Sequence, residues 1–431
     1  MGSYAECWLG NLYIGTTKDH FDYHLMQLFT APDKRVERLA VRDLPRPSRW
    51  AAYFDDPNEK IDVVYYTAPV WTVKDRLELR GYTLGTAKRA FTKRMRFQAK
   101  EYSRPPAQLA KCYACRQEIL KSVHVESWLD SLHHIKARGL GTETRRGLSL
   151  KHDLNLEDFM LEQEWYGFSG ADLYVPIRLA LEVCDQTDSF IYDLTDLVTG
   201  GEVEKREDCV AVSSEFAGSP KTIILTEGRS DGWILSQSMK LLYPHLYDCF
   251  SFMDFDAARV EGGASNLARI VKSFAGAGIV NRAIAIFDND AVGQEAIHSL
   301  HQAKLPATLC ILKLPDLDAL RKYPTIGPSG RKTMDVNRSA ASIELYLGDD
   351  VLRENGKLPP IHWASYSQSA GRYQGSLSDA DKGKIQKRFK EKLARQTYDH
   401  GLVRDRNWLG LSAIMYSIFS AFHRLDQSAI A

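Results

Sequence analysis

The sequence predicts an α/β chain: a parallel sheet with flanking helices, preceded by an α+β N-terminal domain and followed by a helical tail. Three observations carry this. From Lys221 onward, short aliphatic and β-branched runs alternate with segments of helical period, the pattern of a parallel sheet with crossover helices. Two of those runs, Lys221–Thr226 and Arg282–Phe287, stop abruptly in carboxylates: Glu227 and Asp231 after the first, Asp288 and Asp290 after the second. Residues 1–70, in contrast, hold strand-like runs separated by turn residues.

In chain order, Tyr4–Gly10 and Asn11–Gly15 predict a hairpin with a Gly-Asn turn, and Asp62–Thr67 a further strand. Residues 74–100 mix many cations with Tyr82, Phe91 and Phe97, and Arg89, Lys93, Arg94 and Arg96 are its candidates for nucleic-acid phosphates. The competing reading of this stretch is an amphipathic helix whose Leu84, Ala87, Phe91 and Met95 face a core. Residues 107–138 predict one helix ending at Gly139-Leu-Gly141, and Tyr174–Cys184 another. Gly200-Gly201 and the charged run to Asp208 mark a boundary. Strands are then expected over 221–226, 247–254, 282–287 and 307–314, with helices over 230–242, 264–277 and 291–303. A polar loop Arg321–Arg338, a short helix Ala340–Leu347 and helices in 381–425 complete the reading. The expected domains are 1–205, 218–350 and 351–431.

Composition excludes several classes. The hydrophobic content of 44% and charged content of 26% over 431 residues suit a globular chain with real cores. A net charge of +1 argues against a purely electrostatic nucleic-acid coat, though not against a local patch. No apolar run is long enough to span a membrane, and the N-terminus has no signal-peptide pattern, so a cytoplasmic location is expected. The seven dispersed cysteines do not form a disulfide framework; Cys112 and Cys115 have the spacing of half a zinc site, without a second pair.

In an open α/β sheet, ligands bind outside the carboxyl ends of the strands. Glu227, Asp231, Asp288 and Asp290 are therefore expected to converge on one sheet edge, where their mutual repulsion calls for a divalent metal. All-oxygen ligands suit Mg²⁺ or Mn²⁺. The competing reading is helix capping, open to Ser230 or Asp231 and to Asp290, while Ser265 and Asn266 are candidate caps of their own helix.

The Glu227-Gly-x-x-Asp231 and Asp288-x-Asp290 segments, at the ends of the first and third strands, resemble the Toprim fold of primases, topoisomerases, recombination proteins and OLD-type nucleases. Gly262-Gly-Ala-Ser265-Asn266 and Ser342-Ile-Glu344-Leu-Tyr-Leu resemble segments of OLD-like Toprim domains. Met1–Glu6 and Ile191–Leu197 are similar to HEPN/Toprim-associated proteins of bacteria, a family linked to mobile elements and anti-phage defence. The resemblance implies that Glu227, Asp288 and Asp290 hold one or two Mg²⁺, with Asp231 and Glu344 as further ligands and Glu227 as a general acid or base. OLD-type enzymes often carry Glu where this chain has Asp231, which shortens its reach. A cation against the transition-state charge is also needed; Lys332 is chosen over Lys313 and Arg331. Arg395 and His400 satisfy the Arg-to-His spacing of HEPN ribonucleases, and no second site is assigned to them.

These expectations combine into a Mg²⁺-dependent nuclease, acting on DNA or RNA, as a defence effector gated by a companion protein such as an ATPase. The oligomeric state is left open, a homo-oligomer included. The alternative is a non-cleaving Toprim scaffold or sensor that binds nucleic acid or a protein. A haloacid-dehalogenase-type phosphatase, suggested by Asp288-Asn-Asp290, is disfavoured because a strand and acidic turn precede that motif.

Overall fold

The computed structural model describes residues 2–44, 50–51, 54–103, 106–139, 153–168, 172–216, 221–254, 261–368 and 370–423. The chain divides into two compact units, Met1–Ser219 with His423–Ala431 and Pro220–Phe422.

The first unit is built on an antiparallel sheet. The predicted hairpin is β1 (Tyr4–Leu9) and β2 (Leu12–Lys18), followed by β3 (Lys34–Ala40), β4 (Lys60–Pro69) and β5 (Ser189–Asp193). Their spatial order is β2-β1-β5-β4-β3, so the last strand inserts between β1 and β4. Alternation along β5 explains why: Phe190 and Tyr192 enter the main core, and Ile191 packs on the opposite face with Trp8, Tyr13, Val63 and Tyr65. Helices between β4 and β5 pack on the main core, among them α1 (Val70–Leu79), α2 (Leu84–Glu101), α3 (Ala110–Ser122), α4 (Val125–Ala137) and α5 (Tyr174–Ala180), together with the short helix Leu156–Glu162.

The single helix expected over 107–138 is two. His124 is extended (φ −103°, ψ 156°), and its N–H donates to Ser127 Oγ at 3.2 Å. Neither Val123 nor His124 is a helix breaker, so the sequence period runs through the break; the turn lets Trp128 and Leu132 reach the same core as Leu120. Cys112 and Cys115 lie on α3, where Cys112 Sγ accepts from Arg116 Nη1 (2.5 Å) and Cys115 Sγ donates to the Leu154 carbonyl (3.9 Å). Arg116 is fully buried and pairs with Glu162 at 2.6 Å.

The parallel sheet expected from Lys221 onward is present in the second unit. Its strands are β6 (Thr222–Thr226), β7 (Phe250–Phe252), β8 (Ala283–Phe287) and, after the short β9 (Asn289–Asp290), β10 (Leu309–Lys313). The order is β10-β8-β6-β7, with every neighbour parallel. The chain leaves β6 for β7 on one side and returns to β8 on the other. The gap between the carboxyl ends of β6 and β8 is thus a topological switch point, the place where an open sheet forms its crevice. Connecting helices are α6 (Arg229–Leu242), α7 (Ala264–Ala277) and α8 (Ala291–His301).

Three expectations change here. The loop expected over Arg321–Arg338 contains a hairpin, β11 (Tyr323–Gly327) and β12 (Gly330–Met334); its Gly, Pro, Lys and Arg content conceals an alternation in which Tyr323 and Thr325 are buried. The helix expected over Ala340–Leu347 is a short strand, β13 (Ala340–Ala341), pairing with β9, and then a 3₁₀ turn, Ile343–Tyr346. Residues after 350 are not helical throughout: β14 (Ile361–Ser367) and β15 (Arg372–Ser376) join the hairpin in a sheet of order β12-β11-β14-β15. The helical tail is α9 (Asp379–Arg395) and α10 (Leu409–Phe419). Among the described residues no helix is long and apolar enough to cross a membrane.

The Arg116–Glu162 pair yields a stability test. Glu162→Ala leaves a buried guanidinium without its carboxylate and is expected to cost about 3–5 kcal/mol, measured as a fall in the urea midpoint of unfolding.

Candidate metal-binding carboxylate centre

The site is assembled by five segments of the second unit. β6 buries Ile224, Leu225 and Thr226 and delivers Glu227 at its end. Gly228 is the N-cap of α6; Asp231, in the first turn, accepts from the Gly228 N–H and from Ser230 Oγ (3.1 Å to Oδ1), and its charge acts on the crevice carboxylates. Across the switch point, the Asp288 N–H donates to Glu227 Oε1 at 2.9 Å, tying the ends of β6 and β8 together. Asp290 is the N-cap of α8: its Oδ1 accepts from Gly293 N–H at 2.7 Å, while Oδ2 accepts from Gln374 Nε2 at 3.0 Å. Asp290 therefore does cap its helix, and one oxygen still faces a side chain from β15.

Gly293 is required by this packing. A Cβ there would lie 2.5 Å from the Asp288 carbonyl oxygen and 3.2 Å from Asp290 Oδ1. The β9–β13 ladder then places Ser342 and the 3₁₀ turn beside β9. Glu344, 3% exposed, accepts from Ser342 Oγ (2.6 Å) and Gln386 Nε2 of α9 (2.9 Å).

The electrostatics bind these five carboxylates into one group. Burial pushes the Glu227 carboxyl up to about 7, and the charges of Asp290 and Asp231 add to the rise, against the Asp288 N–H and Lys382. Burial raises Asp231 to about 6, with the Glu344 charge adding and Ser230 and Lys382 opposing. Asp288 is raised well above the usual carboxylate range, by burial first and then by Asp231, Glu227, Asp290 and Glu344. Among the described residues, no three His, Cys, Asp or Glu side chains close as ligands around one point. The donor chemistry is that of a hard divalent cation, five carboxylates with no sulfur or imidazole among them.

Among the described residues, Lys382, on α9 one turn before Gln386, is a cation whose charge acts on Glu227 and Asp231. It was not singled out from the sequence, because it sits among six other basic residues of the same helix, and nothing local marks it. Lys332 stands exposed on β12. Lys313 is committed elsewhere: its Nζ donates to Asn289 Oδ1 and Asp316 Oδ1, both at 2.8 Å.

Ser265 and Asn266 do not cap α7. Gly263 is its N-cap, and Asn266 Nδ2 donates back to the carbonyls of Glu261 (3.3 Å) and Gly262 (3.0 Å). Gly263 N–H donates to the Glu227 carbonyl at 2.7 Å, so the glycine-serine-asparagine segment braces the backbone under Glu227. Arg395 ends α9 exposed, and the His400 side chain lies outside the described residues.

In the first unit, Arg89, Lys93, Arg94 and Arg96 project from α2 into a cavity of about 930 Å³ that also meets Phe97 and Asp172. The Arg94 guanidinium lies 5.3 Å from the Phe97 ring centroid. The amphipathic reading of this helix holds: Ala87, Phe91 and Met95 are buried in the core, and the cations occupy the other face.

The family model for HEPN/Toprim N-terminal domain 1 matches residues 1–217. The chain belongs to the HEPN/Toprim-associated family. No curated protein and no solved structure matches it. For this HEPN/Toprim protein the family suggests a nuclease-like function.

Asn289 is the residue of this cluster least visible in the sequence of this HEPN/Toprim protein. Fully buried, it accepts at Oδ1 from Lys313 Nζ and from Arg338 N–H (3.0 Å), and donates from Nδ2 to Asp316 Oδ1 (3.0 Å). Lys313, Arg338 and Asn289 together hold the Asp316 carboxyl well below the usual carboxylate range, although burial opposes them. This ionised knot fixes the backbone between Asp288 and Asp290.

The raised carboxyls set a pH dependence. Glu227 moves from 4.5 to about 7 on folding, and Asp231 from 3.8 to about 6. Between those values the folded state holds more protons than the unfolded one, so stability falls as pH rises. Their contribution is present below about pH 4 and lost as pH passes 7. Melting in EDTA from pH 5 to pH 8 is expected to show this decline, and Asp288→Asn to flatten it and raise the melting temperature at pH 8.

Proposed function

We propose that this chain is a Mg²⁺- or Mn²⁺-dependent nuclease whose centre is Glu227, Asp231, Asp288, Asp290 and Glu344, and that it acts as an effector of defence against phage. The observation that carries the reading is the confinement of five mutually repelling carboxylates to the switch point of a parallel sheet, a charge density that a folded protein tolerates when a cation completes it. A divalent cation held there supplies Lewis-acid neutralisation of the charge on a scissile phosphate. Glu227, with its carboxyl near 7, exchanges a proton at neutral pH and suits the general acid or base. Lys382 faces the same crevice and suits the stabilisation of developing negative charge. We assign that part to Lys382 in place of Lys332. The α2 cations Arg89, Lys93, Arg94 and Arg96 hold phosphates without reading sequence.

A second reading has one observation behind it. Glu227, Asp290 and Glu344 already accept hydrogen bonds from the protein's own donors, as they would in a scaffold that never cuts. Incubation with Mg²⁺ or Mn²⁺ and a panel of plasmid, single-stranded DNA and tRNA separates the two. The nuclease reading expects cleavage by the wild type, none by Asp288→Ala/Asp290→Ala, and a loss of about 100-fold in kcat for Lys382→Ala. A double variant that still cuts places the chemistry elsewhere; a wild type that binds but never cuts supports the scaffold.

The basic helix has its own test. Charge reversal at Arg89, Lys93 and Arg96 is expected to weaken nucleic-acid binding and to reduce the slope of log K against log salt by about 0.7–0.9 per lost phosphate contact. An unchanged slope assigns this face of α2 to another partner.

A further inference from the structure

The sheet β12-β11-β14-β15 has one face that the proposed chemistry does not use. Its register sets which residues share that face. Trp363 lies opposite Gly375 and Tyr366 opposite Tyr373, with a bulge between Trp363 and Tyr366 that returns both rings to the same side. Lys332 lies opposite Thr325, which lies opposite Ile361, two residues before Trp363. Lys332, Trp363, Tyr366 and Tyr373 therefore project together.

One end of this face is core: Tyr323, Thr325 and Ile361 are at most 1% exposed. The other end is open, with Tyr366 53% and Tyr373 57% exposed. The rings are nonetheless ordered against each other. Tyr366 and Tyr373 meet edge to face at 5.1 Å between centroids, and Trp363 and Tyr373 at 6.5 Å. Gly375 makes room for this cluster, since a Cβ there would lie 2.8 Å from the Trp363 ring. Two exposed rings held in place by a third describe a surface prepared for a flat apolar occupant.

Charge and position identify the occupant. None of the four strands carries an Asp or Glu, and their register puts Lys332 on the aromatic face, while Arg331 and Arg372 alternate to the other face. Position is set by β15 itself. Gln374, next to Tyr373 and pointing the other way, donates to Asp290 Oδ2 and accepts from the Ala291 N–H at 3.1 Å. The aromatic face and the carboxylate centre are thus reached from consecutive residues of one strand.

We propose that this face stacks unpaired bases, with Tyr366 and Tyr373 as the platform and Lys332 on the backbone, so that the substrate is single-stranded nucleic acid. The inference rests on the nuclease reading for its substrate class. Aromatic platforms accept bases of any identity but require them unstacked from a duplex. Lys332, expected from the sequence to act in catalysis, becomes a strand-binding residue.

Fluorescence anisotropy on the full chain in EDTA, where no metal-dependent turnover occurs, tests it with a labelled single-stranded DNA 12-mer, the RNA of the same sequence, and the blunt DNA duplex. The wild type is expected to bind at least one single strand more tightly than the duplex. Tyr366→Ala/Tyr373→Ala is expected to weaken that binding by tenfold or more, Tyr366→Phe/Tyr373→Phe to preserve it, and Lys332→Ala to lower the salt slope by about 0.7. The single Tyr→Ala variants serve if the double variant unfolds. Single-strand affinity unchanged by loss of the rings, equal affinity for the duplex, or no binding at all overturns the proposal. Cleavage with ring-independent binding overturns it and leaves the nuclease reading intact; ring-dependent binding without cleavage does the reverse.

Discussion

The hydrogen bond from the Asp288 amide to the Glu227 carboxylate is the contact on which the carboxylate cluster of the second unit depends. It closes the crevice between β6 and β8 at the point where the sheet's connectivity reverses. It also holds acidic side chains close enough to disturb one another's ionisation. A parallel sheet has no intrinsic reason to place carboxylates there; it has every reason to leave the strand ends open, because the crossover helices depart in opposite directions. The fold supplies the gap and the side chains fill it with charge.

Keeping that charge together takes more of the chain than the strands that carry it. Gly293 lets α8 begin directly against the Asp288 carbonyl. Gln374 and Gln386, from β15 and α9, reach Asp290 and Glu344. Asn289 and its ionised partners lock the two aspartates in register from below. These groups are neutral amides or belong to a self-compensated knot, so they orient the acids without cancelling their charge. Among the described residues, Lys382 is a cation whose charge opposes the rise at both Glu227 and Asp231, and burial and the neighbouring acids outweigh it.

How legible this was depends on the kind of information involved. Glu227, Asp231, Asp288 and Asp290 stand beside apolar strands, so strand period and an abrupt polarity change were enough to find them. Glu344 came through a resemblance, and its burial between Ser342 and Gln386 has no signature of its own in the sequence. Lys382 and Lys332 show the limit most clearly. Both are lysines in basic surroundings, and which one faces the carboxylates depends on how α9 docks, not on any local pattern. The hairpin β11–β12 was hidden for a related reason: glycine, proline and cations at its turn and exposed face outweigh its two buried positions.

By itself the sequence determined the alternation of strands and helices from Lys221, the polarity switch at two strand ends, the N-terminal hairpin and the buried face of α2. These follow from periodicity and turn chemistry, which act over a few residues. Tertiary structure alone decided that β5 enters between β1 and β4, that His124 divides a continuous helical pattern, that β14 and β15 complete a sheet begun at Tyr323, and that the charge of Lys382 acts on Glu227 and Asp231. Each of those is a pairing between segments distant in the chain. Such pairings are selected by which apolar faces can be buried together and which charges can be matched, and a local pattern does not contain that choice.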